Sequence, residues 1–230
     1  MHDDILEMLF NKYKFSDEDR NKLLDVIGNI YNHSEFKRRM TSEFLHHGDI
    51  TLGRHILEDT IKTYLLSKKY LDNDNFDLSI ALKISMLHDL YTLPWQNNNE
   101  NKANHFFHYH GFRHPIEAVI NAINWFPDMF EDDMVSKKII DGIIHHMYPL
   151  PVSRIKNFND NNIELKNYEL INNLSIKQKE LLIWSCKHFR RSKYLEGRIV
   201  SRADKMVSIR QIKDYQSAKA LLTGKNKKIK

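Results

Sequence analysis

Apolar residues recur along this chain every three to four positions, and no useful stretch alternates apolar with polar. That spacing lines one face of a helix, whereas a half-buried strand needs a period of two. Seven glycines and five prolines in 230 residues also supply few turns. The expectation is an all-α protein, a helical bundle of about seven or more helices.

The helices can be placed. Ser16 with Asp19 reads as a capping box, Asp standing for the usual Glu, and opens a helix through Leu23, Leu24, Ile27 and Ile30. A second helix begins near Thr51 and carries Ile56, Leu57, Ile61, Tyr64 and Leu65. A third spans about Leu78 to Tyr91, with Ile80, Ile84 and Leu87 on one side. Pro115 suits a first helical position, leading Ile116, Val119, Ile120, Ile123 and Trp125. Ile139, Ile140, Ile143, Ile144 and Met147 share a helix that stops before Pro149 and Pro151. Ser175 precedes a helix through Leu181, Leu182 and Trp184, and the last helix covers roughly Gly197 to Leu222. The Asn-rich stretches 96–105 and 157–173 read as loops.

Composition excludes several classes. Apolar residues at 41% can offset the entropy of folding, so wholesale disorder is excluded. The single cysteine, Cys186, excludes a disulfide framework and a Cys-cluster zinc module. No apolar run approaches the roughly 20 residues of a membrane span, and MHDDILEML lacks a signal-peptide layout. A cytoplasmic protein with no membrane partner is expected. Charge is uneven: residues 176–230 hold 16 Lys/Arg against 4 Asp/Glu, a net of +12, which leaves about −7 on residues 1–175. A basic end suits an anionic partner. Nucleic acid is one such partner, but no aromatic-interleaved basic motif supports it, and GKNKKIK reads as a tail.

Histidine is the unusual residue. Ten of the thirteen fall between positions 46 and 146, bunched as His46-His47, His55, His88, His105-His108-His110, His114 and His145-His146. His88-Asp89 ends an apolar helix where another apolar or capping residue is expected, and both groups can reach a cation. At about 100° per residue, His146 lies on the edge of the face centred on Ile143, while His145 points nearly opposite. Asp204 flanks the face of Ile199, Ala203 and Val207, where it needs a cation, a buried partner or a surface pairing with Arg198 or Arg202. His55 lies off its apolar stripe, so periodicity alone does not turn it inward.

The order His55, His88-Asp89, Asp204 reads H…HD…D, and HHGDITLGRH, MLHDLY, HGFRHPIEA, IIHHMYPL and RADKM follow in series over roughly 44 to 210. This series resembles the HD superfamily of metal-dependent phosphohydrolases, in particular a group of bacterial HD-domain proteins. The resemblance implies one HD domain over 1–230, with a helical lead-in at 1–43 and a core at 44–210. An insertion would occupy 152–195, and 211–230 would be a basic tail. It implies that His55, His88, Asp89 and Asp204 bind a first metal and that Asp89 reaches a second, completed by His114 and His146, with His145 ranked below His146. His110 and Arg113 would lie beside the site.

Two divalent transition ions are the implied cofactor, and a thiolate-free set suits Fe, Mn, Zn, Co or Ni. Asp89 and Lys205 are the expected catalytic groups. His110, Arg113 and Arg202 are candidate substrate contacts, weighed against ordinary loop histidine or surface charge. The implied reaction is hydrolysis of a nucleotide-type phosphomonoester, anhydride or phosphodiester. A diiron oxygenase on the same ligands and a non-catalytic nucleotide-binding module are the alternatives. A homodimer is an assembly that such a helical domain often forms.

Overall fold

The computed structural model describes residues 2–94, 110–155, 158 and 168–222. Among them are nine α-helices and no strand: α1 (His2–Lys12), α2 (Asp17–Asn32), α3 (Ser34–Arg39), α4 (Leu52–Ser67), α5 (Leu78–Leu87), α6 (His110–Trp125), α7 (Asp133–Ile144), α8 (Ile176–Lys187) and α9 (Leu195–Leu222). The Asn-rich stretch 96–105, His105, His108 and the tail 225–230 lie outside the described residues, as does much of 157–173.

Local signals explain the starts. Ser16 Oγ accepts the Asp19 N–H, and Thr51 caps α4 through the Arg54 N–H. Ser175 and Gln178 close a reciprocal capping box at α8. Each satisfies backbone donors that the first helical turn leaves unpaired. Two boundaries differ from expectation. The third helix ends at Leu87, and His88 caps it, so His88 and Asp89 fall in the turn beyond rather than on the helix. Pro115 is the sixth residue of α6. Gly111, four residues earlier, is where the proline ring crowds the preceding turn, and it has no side chain to add to that crowding.

The core is built from α4, α5, α7 and α9, which pack on one another, with α1 on α4, α2 on α5, and α6 and α8 on α7. Fully buried Leu57, Ile61, Ile84, Ile140, Ile143 and Val200 lie between them. Each such aliphatic side chain contributes roughly 1.5–3 kcal/mol by leaving water. The crossing of α7 and α9 is close: a Cβ on Gly197 would stand 2.7 Å from the Gly142 Cα. Glycine at that contact lets α9 approach α7, so that α9 and the turn after α7 reach one cavity. The segment read as an insertion supplies Ile171, Leu174, Leu182 and Cys186 to the core. The segment 211–230 is not wholly a tail, because α9 runs through it to Leu222.

Candidate metal centre

The core helices bring their polar residues together at one place. His55 comes from the second turn of α4, His88 and Asp89 from the turn after α5, His114 from α6, His146 from just past α7, and Asp204 from the middle of α9. All six are buried, from 0% exposure at His55 and His88 to 7% at Asp204. The C-terminal ends of α5 and α7 face this point, and the partial negative charge there favours a cation.

Asp89 is at the centre. Its Oδ2 lies 3.8 Å from His55 Nε2 and 3.5 Å from His88 Nε2, and its Oδ1 lies 3.2 Å from His114 Nε2 and 3.6 Å from His146 Nε2. Asp204 Oδ1 is 3.3 Å from His55 Nε2. These distances exceed metal–ligand bonds and match groups gathered around a common point.

The far side of each ring determines what Nε2 offers. His55 Nδ1 contacts Gln211 Oε1 at 2.9 Å, His88 Nδ1 the Ser85 carbonyl at 2.7 Å, His114 Nδ1 the His110 carbonyl at 3.3 Å, and His146 Nδ1 the Ile143 carbonyl at 2.7 Å. Each of these oxygens can only accept, so each Nδ1 carries the proton, and a neutral ring then presents its Nε2 lone pair to the centre. His114 and His146 Nε2 stand 3.2 Å apart. Two lone pairs at that distance repel unless a positive charge lies between them. His55 and His88 Nε2 are buried with no hydrogen-bond partner among the described residues. Buried polar atoms left in this way are costly, and a cation would satisfy them. The donor set of imidazole nitrogens and carboxylate oxygens, without thiolate, fits a first-row divalent ion. These buried His and Asp groups can hold metal ions.

The electrostatics agree. Burial alone would raise the Asp89 carboxyl, but the imidazoles of His88, His114 and His146 hold it well below the usual carboxylate range. Asp204 is lowered too, the His55 contact overcoming burial. Burial depresses His55, yet Asp204 and Asp89 raise it overall. The same carboxylates increase its affinity for a metal. His146 falls to about 3 through burial and the nearby His88, so it stays a neutral ligand.

Other expected site residues fall elsewhere. His145 is not with them: its Nδ1 meets the Asp141 carbonyl at 2.9 Å and its Nε2 the His188 carbonyl at 2.9 Å, so both nitrogens are taken up by oxygens and none remains for a metal. Its opposite direction on the helical wheel is the reason. Arg113 is buried, its Nε 3.1 Å from Glu117 Oε1 one turn along α6, and does not reach the cavity. Arg202 is exposed on α9, one residue off the face that carries Ala203 and Asp204, and does not line the cavity. His110 and Lys205 do line it. Burial lowers the Lys205 ammonium, which donates to Ser201 Oγ at 2.6 Å, and lowers His110 to about 3.

This cavity, about 550 Å³, also exposes residues that the sequence did not single out. His46 and His47 line it, each with one buried ring nitrogen lacking a partner among the described residues, and they lie within ligand reach of His55. A tight turn places them: Gly48 takes φ +70°, and the His46 N–H bonds to the Ile50 carbonyl at 2.8 Å. Only glycine takes that left-handed backbone freely. Because His55 has one Nε2 lone pair, it can serve a cation with His46 and His47 or one with His88 and Asp89, but not both. Burial lowers both His46 and His47, so they stay neutral. Tyr91 adds a buried hydroxyl without a partner among the described residues, its pKa raised by burial. Behind His88, Asp59 accepts from Ser85 Oγ at 2.7 Å, and burial and Asp204 raise its pKa well above the ordinary value. Asp59 sits one turn after His55 and Gln211 two turns after Asp204, so same-face spacing was the signal for both.

No protein-family profile, curated protein or solved structure matches this chain.

Proposed function

We propose that the protein is a metal-dependent phosphohydrolase, related to the HD superfamily, that acts on a small phosphorylated substrate of the nucleotide class. The observation that carries this reading is the two-sided Asp89 carboxylate. One oxygen faces His55 and His88, the other faces His114 and His146, and every ring has its Nδ1 tied to an oxygen acceptor. A carboxylate so placed suits bridging two cations. His55, His88, Asp89 and Asp204 would hold the first, and Asp89, His114 and His146 the second. A bound pair of such ions supplies Lewis-acid polarisation of phosphoryl oxygens and activation of water at neutral pH.

The chain's own groups provide the remainder. Lys205 brings a cation to the cavity wall for a phosphate. Tyr91 and the neutral rings of His46, His47 and His110 offer hydrogen bonds to ester or hydroxyl oxygens. Met147, Pro149, Leu150 and Ile209 supply apolar walls that exclude water around the reacting group.

The test is a panel of nucleoside phosphates and phosphodiesters assayed with Mn, Fe, Zn, Co and Ni. Metal-dependent phosphate release is expected from the natural sequence, and Asp89→Ala should lose it with helicity intact by circular dichroism. Metal analysis should find about two ions per chain, and a metal-free yet stable protein would sink the assignment. Oxygen uptake without phosphate release would point to an oxygenase on the same ligands, and tight nucleotide binding without product to a regulatory module.

A further inference from the structure

A second cavity, about 590 Å³, lies on the other side of the chain that follows α7. Met147, Pro149 and Leu150 face the metal cavity, whereas Tyr148, Leu150 and Pro151 face this one. The two spaces therefore share one wall, and His145, turned away from the candidate metal centre, lines the second.

Its chemistry is one-sided. Arg154, Lys187 and Arg190 line it, and no carboxylate does so among the described residues. Arg190 is neutralised by Asp141 at 2.6 Å, but Arg154 and Lys187 are exposed and have no carboxylate partner among the described residues. The Tyr148 and Phe189 rings stand 5.3 Å apart at 39°, with Phe189 60% exposed. The solvent-facing Phe189 ring beside these cations suits stacking on a planar ligand. In the wall, Ser185 is fully buried and its hydroxyl has no hydrogen-bond partner among the described residues. An orphaned buried hydroxyl in the wall of an open cavity indicates a polar ligand atom that would satisfy it. Lys187, Phe189 and Arg190 thus set an aromatic ring between two cations along this wall.

We infer that this second cavity binds a mononucleotide, the base against Phe189 and Tyr148, the phosphate on Arg154 and Lys187, and a polar atom on Ser185. A drug-sized cavity with apolar walls and a few polar groups has the volume for such a ligand. The inference is independent of hydrolysis at the metal centre. The same base-and-phosphate chemistry occurs at the end of a single-stranded nucleic acid, and the test separates the two sources.

The experiment follows the anisotropy of a fluorescent N-methylanthraniloyl derivative of AMP added to the full chain, with unlabelled AMP, adenosine, inorganic phosphate or a short oligothymidylate as competitor. A saturable component is expected, displaced by AMP better than by adenosine or phosphate. Arg154→Ala combined with Lys187→Ala should weaken it roughly tenfold or more, from the loss of charge-assisted hydrogen bonds. Ser185→Ala and Phe189→Ala should weaken it separately, and His114→Ala in the metal cavity should leave it unchanged. Arg154, Lys187 and Phe189 are exposed, so circular dichroism should show those variants folded. The inference is overturned by the absence of such a component, by its survival in the Arg154/Lys187 double variant, by its loss in His114→Ala alone, or by displacement with oligothymidylate but not AMP.

Discussion

Each imidazole of the candidate metal centre depends on whatever holds its far nitrogen. Three of the four rely on main-chain carbonyls, which mutation cannot remove, but His55 relies on the Gln211 side chain. Gln211 in turn donates to Glu58 at 2.9 Å, and Glu58 is paired with Lys12 and Arg210. Gln211→Leu should therefore free the His55 ring and weaken metal binding by roughly 10- to 100-fold. Calorimetric titration with Mn or Zn measures this, and unchanged affinity would mean that the amide does not orient the ligand. The candidate ligand types were legible because His and Asp stand out in apolar helices. Gln211 offers only its same-face spacing from Asp204, since an amide has no metal signature in a sequence. Arg113 shows the converse. Its position in HGFRHP suggested a substrate contact, yet its partner is the buried Glu117. Arg113→Met removes one ion-pair partner of that buried carboxylate, so a measurable loss of stability in urea unfolding is expected with KM unchanged. A raised KM at normal stability would return Arg113 to the substrate.

At the scale of elements, most helices were legible from periodicity and caps, because core burial and backbone donors both act through local sequence. The end of α5 was not. The apolar run through Leu87 continues in sequence into Leu90 and Tyr91, and only packing shows that the helix stops so that His88 and Asp89 can turn inward. The attachment of the α8–α9 connection was equally hidden, because it depends on one carboxylate far away in sequence. Asp141 on α7 accepts from Arg190 at 2.6 Å, from Ser192 Oγ at 2.6 Å and from the Lys193 N–H at 2.8 Å. Burial opposes its ionisation, but contacts with His145, Ser192 and Arg190 pull it from 3.8 to about 2. A carboxyl lowered on folding stabilises above its unfolded value and loses that contribution as pH falls toward its folded one. Asp141 should therefore contribute about 2 kcal/mol at neutral pH, constant down to about pH 4 and fading below it. Urea unfolding of the natural chain and of Asp141→Asn across pH 3 to 7 checks this: a gap independent of pH would exclude the ionic role.

For the whole molecule, the charge asymmetry of the sequence becomes a cross-link. Basic residues of the last quarter pair with acidic residues of the earlier chain, as Lys177 does with Asp133, Arg190 with Asp141 and Arg210 with Glu58. The candidate metal centre has the same architecture on a smaller scale, since the residues that could hold a cation come from α4, the turn after α5, α6, the turn after α7, and α9. Unfolding separates all five, so a cation bound there is bound only by the folded chain, and its binding energy adds to stability by mass action. With metal at about 100 times its Kd the gain is about 2.7 kcal/mol, or roughly 5–10 °C in Tm for a chain of this size. Chelation should therefore lower Tm, and adding Mn or Zn should raise it in proportion to the logarithm of free metal. Asp89→Asn isolates the centre as the source. It removes the charge that both histidine pairs face while nearly preserving shape, so its Tm should stop responding to metal even if its metal-free stability changes. A metal response that persists in Asp89→Asn would place the cation elsewhere, and a natural chain indifferent to both chelator and metal would leave the buried imidazoles without the partner inferred for them.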